Sequence, residues 1–93
     1  TIILFFYKRP EECALCDKQS FVLTDINDDI NAELAVFSFD TDIGLSSVDL
    51  LIEYYNITEY PVTVIEDTVH TGLINKNSLT DLLCEQNNLT ICS

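Results

Sequence analysis

Apolar and polar residues alternate along this chain in blocks that match strands and helices. Residues 1–7 (TIILFFY) form a continuous β-branched and aromatic run, which is typical of a strand buried on both faces. From residue 13 to about residue 30, apolar positions recur at helical spacing: Cys16, Leu23, Ile26 and Ile30. Residues 34–40 (LAVFSFD) have the length and composition of a second strand. The first part of the chain therefore predicts a strand, a helix and a strand.

The second half predicts a helix, two strands and a final helix, over residues 46–56, 62–65, 69–74 and 78–86. Both helices carry a capping-box pattern at the start, Ser46 with Asp49 and Ser78 with Asp81. The order is β-α-β-α-β-β-α. Because strand-helix-strand connections pair strands in parallel, and a short turn at residues 66–67 pairs the last two as a hairpin, the sheet should be mixed. We predict a single α/β domain over residues 1–93, with four strands, helices on both faces and a tail at 88–93.

The composition is strongly acidic, with 4 Lys+Arg against 16 Asp+Glu and a formal net charge of -12. Because Lys and Arg make most phosphate contacts, this argues against a nucleic-acid partner and against an anionic membrane surface. No apolar run approaches the roughly 18 residues of a membrane span. The chain starts at Thr1 and contains no Met, so we expect a processed product or a piece of a larger polypeptide. The composition does not indicate an oligomeric state.

The four cysteines fall into two groups: Cys13 with Cys16, and Cys84 with Cys92. Four cysteines allow three pairings if all are oxidised, and spacing alone does not choose among them. We favour a structural disulfide between Cys84 and Cys92, which would tie the tail to the last helix; the alternative is two free thiols. Together with Asn-x-Thr sequons at Asn56 and Asn88, the cysteines favour an oxidising, secretory or extracytoplasmic compartment over the cytoplasm.

Cys13-Ala14-Leu15-Cys16 is the motif that carries chemistry. It follows the first strand and a short loop, and it opens the first helix. A helix N-terminus stabilises an anion through its unpaired N–H groups and its dipole, and the thiolate is the reactive form of cysteine. Cys13, in the first turn, should receive most of that effect, whereas Cys16 should be shielded by the helix. The two residues therefore suit an attacking and a resolving thiol.

Charged residues surround this motif. Three of the four basic residues lie close to it: Lys8, Arg9 and Lys18. Positive charge near Cys13 would lower the pKa of its thiol. Three carboxylates act in the opposite direction: Glu11, Glu12 and Asp17. We therefore predict pKa tuning by the basic residues, with ordinary solvated loop charges as the alternative.

A strand, a Cys-x-x-Cys at a helix start and a proline opening the third strand resemble the thioredoxin superfamily. The compact layout and the string C-A-L-C-D at residues 13–17 are similar to small glutaredoxin-like domains. The resemblance covers about residues 1–87 and implies a thioredoxin-like fold, with Cys13 as nucleophile and Cys16 as resolving cysteine. It also implies that Pro61 is a cis-proline facing the active-site disulfide. Tyr60 would then present its backbone to an extended substrate segment.

Two departures from the superfamily pattern bear on the reaction. Ala-Leu stands between the cysteines, where thioredoxin has Gly-Pro and glutaredoxin has Pro-Tyr, and this dipeptide helps to set the redox poise. Residues 72–75 (GLIN) stand in place of the Gly-Gly and Asp pattern by which glutaredoxins hold glutathione. An acidic chain also disfavours anionic glutathione, so we do not expect glutathione as a partner.

The leading hypothesis is a thiol–disulfide oxidoreductase that acts on disulfides or dithiols of proteins, or of small molecules, without a metal or an organic cofactor. An oxidising or isomerising role is favoured over a reducing one. The second hypothesis is a non-catalytic thioredoxin-fold binding module of a larger protein, whose Cys-x-x-Cys is structural or idle. The third, a zinc site completed by Cys84, Cys92 or His70, is disfavoured because the Cys84-x7-Cys92 spacing is poor for zinc.

Overall fold

The computed structural model describes residues 1–30, 34–86 and 92. The elements in these ranges are β1 (Ile2–Tyr7), α1 (Ala14–Ile30), β2 (Ala35–Asp40), α2 (Ser46–Tyr54), β3 (Val62–Ile65), β4 (Thr68–Thr71) and α3 (Lys76–Gln86). Their order is the one that the sequence predicts. The largest difference is in β4, which begins one residue earlier than predicted and ends at Thr71 rather than at residue 74. In the described part of the chain, no helix has the length and apolar character that a membrane crossing requires.

The four strands form one mixed sheet in the order β2-β1-β3-β4. β1 and β2 are parallel and are joined by α1, whereas β3 runs antiparallel to both β1 and β4. A two-residue turn at Glu66 and Asp67 closes the β3–β4 hairpin, and both residues have positive φ, at 49° and 63°. The predicted parallel pair and the predicted hairpin are both confirmed.

The core is divided by the sheet into two clusters. One cluster packs α1 and α3 against Ile3, Phe5 and Ile65, and the other packs α2 against Phe6 and Val62. Successive residues of a strand point to opposite faces, so β1 contributes to both clusters. This confirms the prediction that the first strand is buried on both faces and that helices cover both sides of the sheet.

The helix starts differ from the predicted capping boxes. At α2 the capping residue is Leu45, which makes no side-chain cap; its carbonyl accepts the N–H of Asp49 at 3.0 Å. At α3 the side-chain oxygen of Asn75 accepts the N–H of Ser78 at 2.9 Å, which is the usual bond of an N-cap residue. The predicted caps Ser46 and Ser78 are therefore wrong, because each serine lies inside its helix.

Candidate active site

The ends of three strands bring the predicted site residues to one edge of the sheet. Phe6 lies opposite Val62 in the antiparallel β1–β3 pair, so Pro61, just before β3, lies where β1 ends. The parallel β1–β2 pair aligns Tyr7 with Asp40, so the loop after β2 starts at the same edge. The loop that leads to Cys13 leaves from this edge as well. The topology therefore places the cysteine motif, the Tyr60-Pro61 loop and the loop after β2 together.

Cys13 and Cys16 are joined by a disulfide bond, with their Cα atoms 5.3 Å apart. Cys13 directly precedes α1 and Cys16 lies in its first turn. The carbonyl of Arg9 accepts the N–H groups of Glu12 and Cys13, both at 2.9 Å, and so shapes the turn before the helix. The cysteines thus lie at a helix N-terminus, where the helix dipole and the free N–H groups stabilise a thiolate.

Both cysteines are largely buried in the oxidised protein. Cys13 is 8% exposed and Cys16 is 3% exposed, so the difference in access that the sequence suggested is small in this state. A pocket of about 220 Å³ lies beside Cys16, and its polar lining residues are Lys8, Asp17, Ser20 and Ser38. The pocket leaves space next to the second cysteine of the motif.

The peptide bond between Tyr60 and Pro61 is cis. Pro61 is buried, and its carbonyl accepts the N–H of Gly72 at 2.8 Å. Since Val62 lies opposite Thr71, this bond continues the β3–β4 pairing by one residue, and Gly72 there has a φ of 94°, a conformation that glycine adopts without steric cost. In the described part of the chain, no backbone hydrogen bond outside the strands and helices involves Tyr60. Pro61 is therefore anchored, whereas the backbone of Tyr60 makes no such bond.

Lys8 connects three parts of the site. Its Nζ lies 2.9 Å from Oδ1 of Asp42, 3.9 Å from Oε2 of Glu12 and 5.1 Å from the centroid of the Tyr60 ring. The hydrogen bond to Asp42 raises the pKa of Lys8, and the same bond lowers the pKa of Asp42. Because two carboxylates share the ammonium charge, Lys8 can affect Cys13 less than an isolated cation would.

The other two predicted tuning residues, Arg9 and Lys18, are exposed. Arg9 contributes through its backbone carbonyl, which shapes the turn before Cys13. Lys18 lies in α1, two residues after Cys16. An effect of either charge on the cysteines stays a prediction.

Gln19 is not among the site residues that the sequence predicts, yet it holds the loop after β4 against α1. Its side chain is fully buried, its Nε2 donates to the carbonyl of Ile74 at 3.1 Å, and its Oε1 accepts the N–H of Ile74 at 2.7 Å. A signal was present, because Gln19 occupies the apolar stripe of α1 between Cys16 and Leu23. A polar residue in such a stripe indicates a buried hydrogen-bond partner.

The second cysteine pair is also bonded, and its disulfide joins Cys84 of α3 to Cys92. Among the described residues, no group of three or more His, Cys, Asp and Glu is arranged to hold a metal ion. His70 lies in β4 opposite Thr63 of β3. The sequon at Asn56 is exposed, whereas the sequon at Asn88 lies outside the described residues.

Comparison with solved structures identifies the fold. The chain superimposes on thioredoxin-2, described as a component of malaria parasite protein secretion machinery, with a TM-score of 0.76 and 16% identity. The match covers 90% of this chain and 81% of thioredoxin-2. A thioredoxin-like protein from Clostridium perfringens matches over 90% of this chain and 68% of its own, with a TM-score of 0.73 and 21% identity. The germline-specific thioredoxin Deadhead from Drosophila melanogaster covers 92% of this chain and 80% of its own, with a TM-score of 0.65 and 18% identity. No protein-family model and no curated protein matches the sequence. The chain has a thioredoxin-like fold, with a disulfide closed across its Cys-x-x-Cys motif.

Proposed function

We propose that this protein is a thiol–disulfide oxidoreductase that exchanges electrons with disulfides and dithiols of other proteins. The observation that carries the proposal is the disulfide between Cys13 and Cys16 at the N-terminus of α1. A thioredoxin-like fold alone would not carry it, because the same fold hosts unrelated functions. The Cys-x-x-Cys disulfide at a helix start adds the chemical group that such a reaction requires.

The proposed reaction is a two-step thiol–disulfide exchange that passes through a mixed disulfide. In the reduced protein, the Cys13 thiolate attacks one sulfur of a substrate disulfide, forms a mixed disulfide and releases the other substrate sulfur as a thiolate, which takes up a proton. Cys16 then loses its proton and attacks Sγ of Cys13, which releases the second substrate thiol and closes the Cys13–Cys16 bond. Two electrons pass from protein to substrate. The reverse sequence oxidises a substrate dithiol, and neither direction needs a metal or an organic cofactor.

Tyr60 and Pro61 are proposed to line the substrate groove. Pro61 is anchored through its carbonyl to Gly72, at 2.8 Å, so the loop has a defined position next to the end of β1. Among the described residues, no backbone hydrogen bond outside the helices and strands involves Tyr60. An extended substrate segment could bond to this backbone. The second disulfide, between Cys84 and Cys92, takes no part in the proposed exchange and favours an oxidising compartment for this activity.

The test is alkylation of the reduced protein across pH 4 to 9, with mass mapping of each modified cysteine. We expect Cys13 to react first, with a pKa at least one unit below the roughly 8.5 of a free cysteine. The variant Cys16→Ser should accumulate the mixed disulfide, because no second thiol resolves it, whereas Cys13→Ser should accumulate none. A variant lacking Cys84 and Cys92 serves as the control that keeps the reactive motif alone.

A non-catalytic binding module is the second candidate, and the burial of Cys13 favours it. The residue is only 8% exposed in the oxidised protein, and a substrate must reach its sulfur. If Cys13 of the reduced protein titrates like a free cysteine or fails to react, the oxidoreductase proposal is wrong. The Tyr60-Pro61 loop would then be the surface on which to look for a bound partner.

A further inference from the structure

Carboxylates flank the candidate active site on both chain segments that form it. Glu11 lies two residues before Cys13, and Glu59 lies directly before Tyr60. Both side chains are exposed. Each of the two chain segments that a substrate of Cys13 would contact in the proposed groove therefore carries an exposed carboxylate.

The basic residues around the candidate active site do not balance the negative charge of its carboxylates. Five exposed carboxylates belong to the loops and the first helical turn around the disulfide: Glu11, Glu12, Asp17, Asp42 and Glu59. Three cations belong to the same segments, Lys8, Arg9 and Lys18, and Lys8 is already held by Asp42 at 2.9 Å and by Glu12 at 3.9 Å. The formal charge of the whole chain, -12, acts in the same direction at long range.

Exposed aliphatic side chains belong to the same end of the sheet as these carboxylates. Leu15, between the two cysteines, is 43% exposed. Ile43 follows Asp42 and is 54% exposed, and Leu73 follows the Pro61-anchoring Gly72 and is 41% exposed. Such a surface can pack against the aliphatic stems of lysine and arginine while the carboxylates meet their charged ends.

We propose that the site selects cationic disulfides, namely polypeptide segments with Lys or Arg next to the disulfide cysteine, and that Glu11 and Glu59 determine this specificity. The inference rests on the proposed function and names its substrate class. The exchange itself is unchanged: two substrate thiols are released as the protein dithiol becomes the Cys13–Cys16 disulfide. The carboxylates act on the approach of the substrate and on the mixed disulfide, and they take no part in bond breaking.

The test uses three small disulfides of matched length that differ in charge: cystamine (cationic), bis(2-hydroxyethyl) disulfide (neutral) and 3,3′-dithiodipropionate (anionic). Each is mixed at pH 7 with the reduced protein lacking Cys84 and Cys92, quenched with acid, alkylated and analysed by mass, since the chain has no tryptophan to follow. Each rate constant is divided by that of uncharged dithiothreitol with the same disulfide. This division removes the intrinsic differences between the leaving thiols.

We expect the normalised rate to be about tenfold or more higher for cystamine than for dithiodipropionate at 10 mM salt, with the neutral disulfide between them. The ratio should fall towards one at 0.5 M salt, because the screening length decreases from about 30 Å to well under about 10 Å. The double variant Glu11→Gln with Glu59→Gln should lose most of the preference. Its matched control, Asp28→Asn with Asp81→Asn, removes the same charge from exposed positions on α1 and α3 and should keep it.

Each outcome separates the two proposals. Equal normalised rates for the three disulfides would overturn the charge selection and leave the oxidoreductase proposal intact. Equal loss of preference in both double variants would overturn the assignment to Glu11 and Glu59. If none of the disulfides oxidises the motif while dithiothreitol reacts with all of them, the proposed function itself is wrong.

Discussion

Gln19 and Ile74 exchange two hydrogen bonds across the interior of the protein. The amide Nε2 of Gln19 donates to the carbonyl of Ile74 at 3.1 Å, and the N–H of Ile74 donates to Oε1 at 2.7 Å. Gln19 follows Cys16 by about one helical turn, and Ile74 belongs to the loop whose Gly72 anchors Pro61. The pair therefore joins the helix that carries the cysteines to the loop that holds the cis-proline.

Replacement of Gln19 by alanine should destabilise the protein by about 2–3 kcal/mol, because it removes a fully buried side chain and leaves the partly buried N–H and carbonyl of Ile74 without partners. The measurement is the free energy of unfolding from urea titration. Asn77→Ala, at an exposed position of α3, is the matched amide truncation and should change stability by less than about 0.5 kcal/mol. Similar values for the two variants would show that the paired bonds contribute little.

The ion pair of Lys8 and Asp42 should make stability depend on pH. The pKa of Asp42 is lowered below its usual 3.8 by the hydrogen bond from Lys8, so its contribution is present above 3.8 and is lost as pH falls through the lower folded-state value. The pKa of Lys8 is raised above its usual 10.5, so its contribution is present below 10.5 and is lost at higher pH. Between these limits, Asp42→Asn should have a lower urea midpoint than the wild type.

This difference between wild type and Asp42→Asn should narrow as pH falls from 6 to below 3.8. Both side chains are partly exposed, so the effect should be small and should shrink in high salt. The control is the same comparison in a Lys8→Met background, where the pH dependence of the difference should shrink to the smaller part that Arg9 contributes. An undiminished pH dependence in that background would show that Lys8 is not the main partner of Asp42.

A substitution in the hairpin turn between β3 and β4 should increase the stability of the fold. Glu66 has a φ of 49°, in the left-handed region that costs most residues free energy and that Asn tolerates better. Glu66→Asn should therefore raise the free energy of unfolding by about 0.5–1 kcal/mol, measured by urea titration. Glu66→Gln removes the same charge without the tolerance of asparagine and should leave stability nearly unchanged. If the two amides behave alike, charge rather than backbone conformation limits this turn.

The disulfide between Cys84 and Cys92 should stabilise the fold without taking part in exchange. Its cysteines are 8 residues apart, and closing such a loop restricts the unfolded chain. Replacing both cysteines by alanine should cost about 2.5 kcal/mol on the chain-entropy description, and each single replacement should cost a similar amount. Alkylation of Cys13 should keep its rate in the double variant. A slower reaction would show that this bond influences the active site.

The strands and helices of this chain could be predicted because the residues that indicate each element lie within that element. The β-branched run of β1, the helical spacing of apolar residues in α1 and the β-branched segment of β3 each indicate one element within a few residues. Helix starts were predicted less well. Asn75, not Ser78, caps α3. Both residues can cap a helix, and which of them does so depends on the residue at which the helix begins after β4.

The sequence by itself determined the order of the elements, the mixed sheet and the position of Cys13 and Cys16 at a helix start. These follow from hydrophobic periodicity and from the chemistry of a short motif. The tertiary structure alone decided that Lys8 pairs with Asp42, 34 residues away, and that Gln19 binds Ile74, 55 residues away. The position of Gln19 in the apolar stripe of α1 indicates a buried partner without identifying Ile74, and no residue near Lys8 in the sequence identifies Asp42. A polar side chain acquires such a partner only when the sheet brings distant segments together.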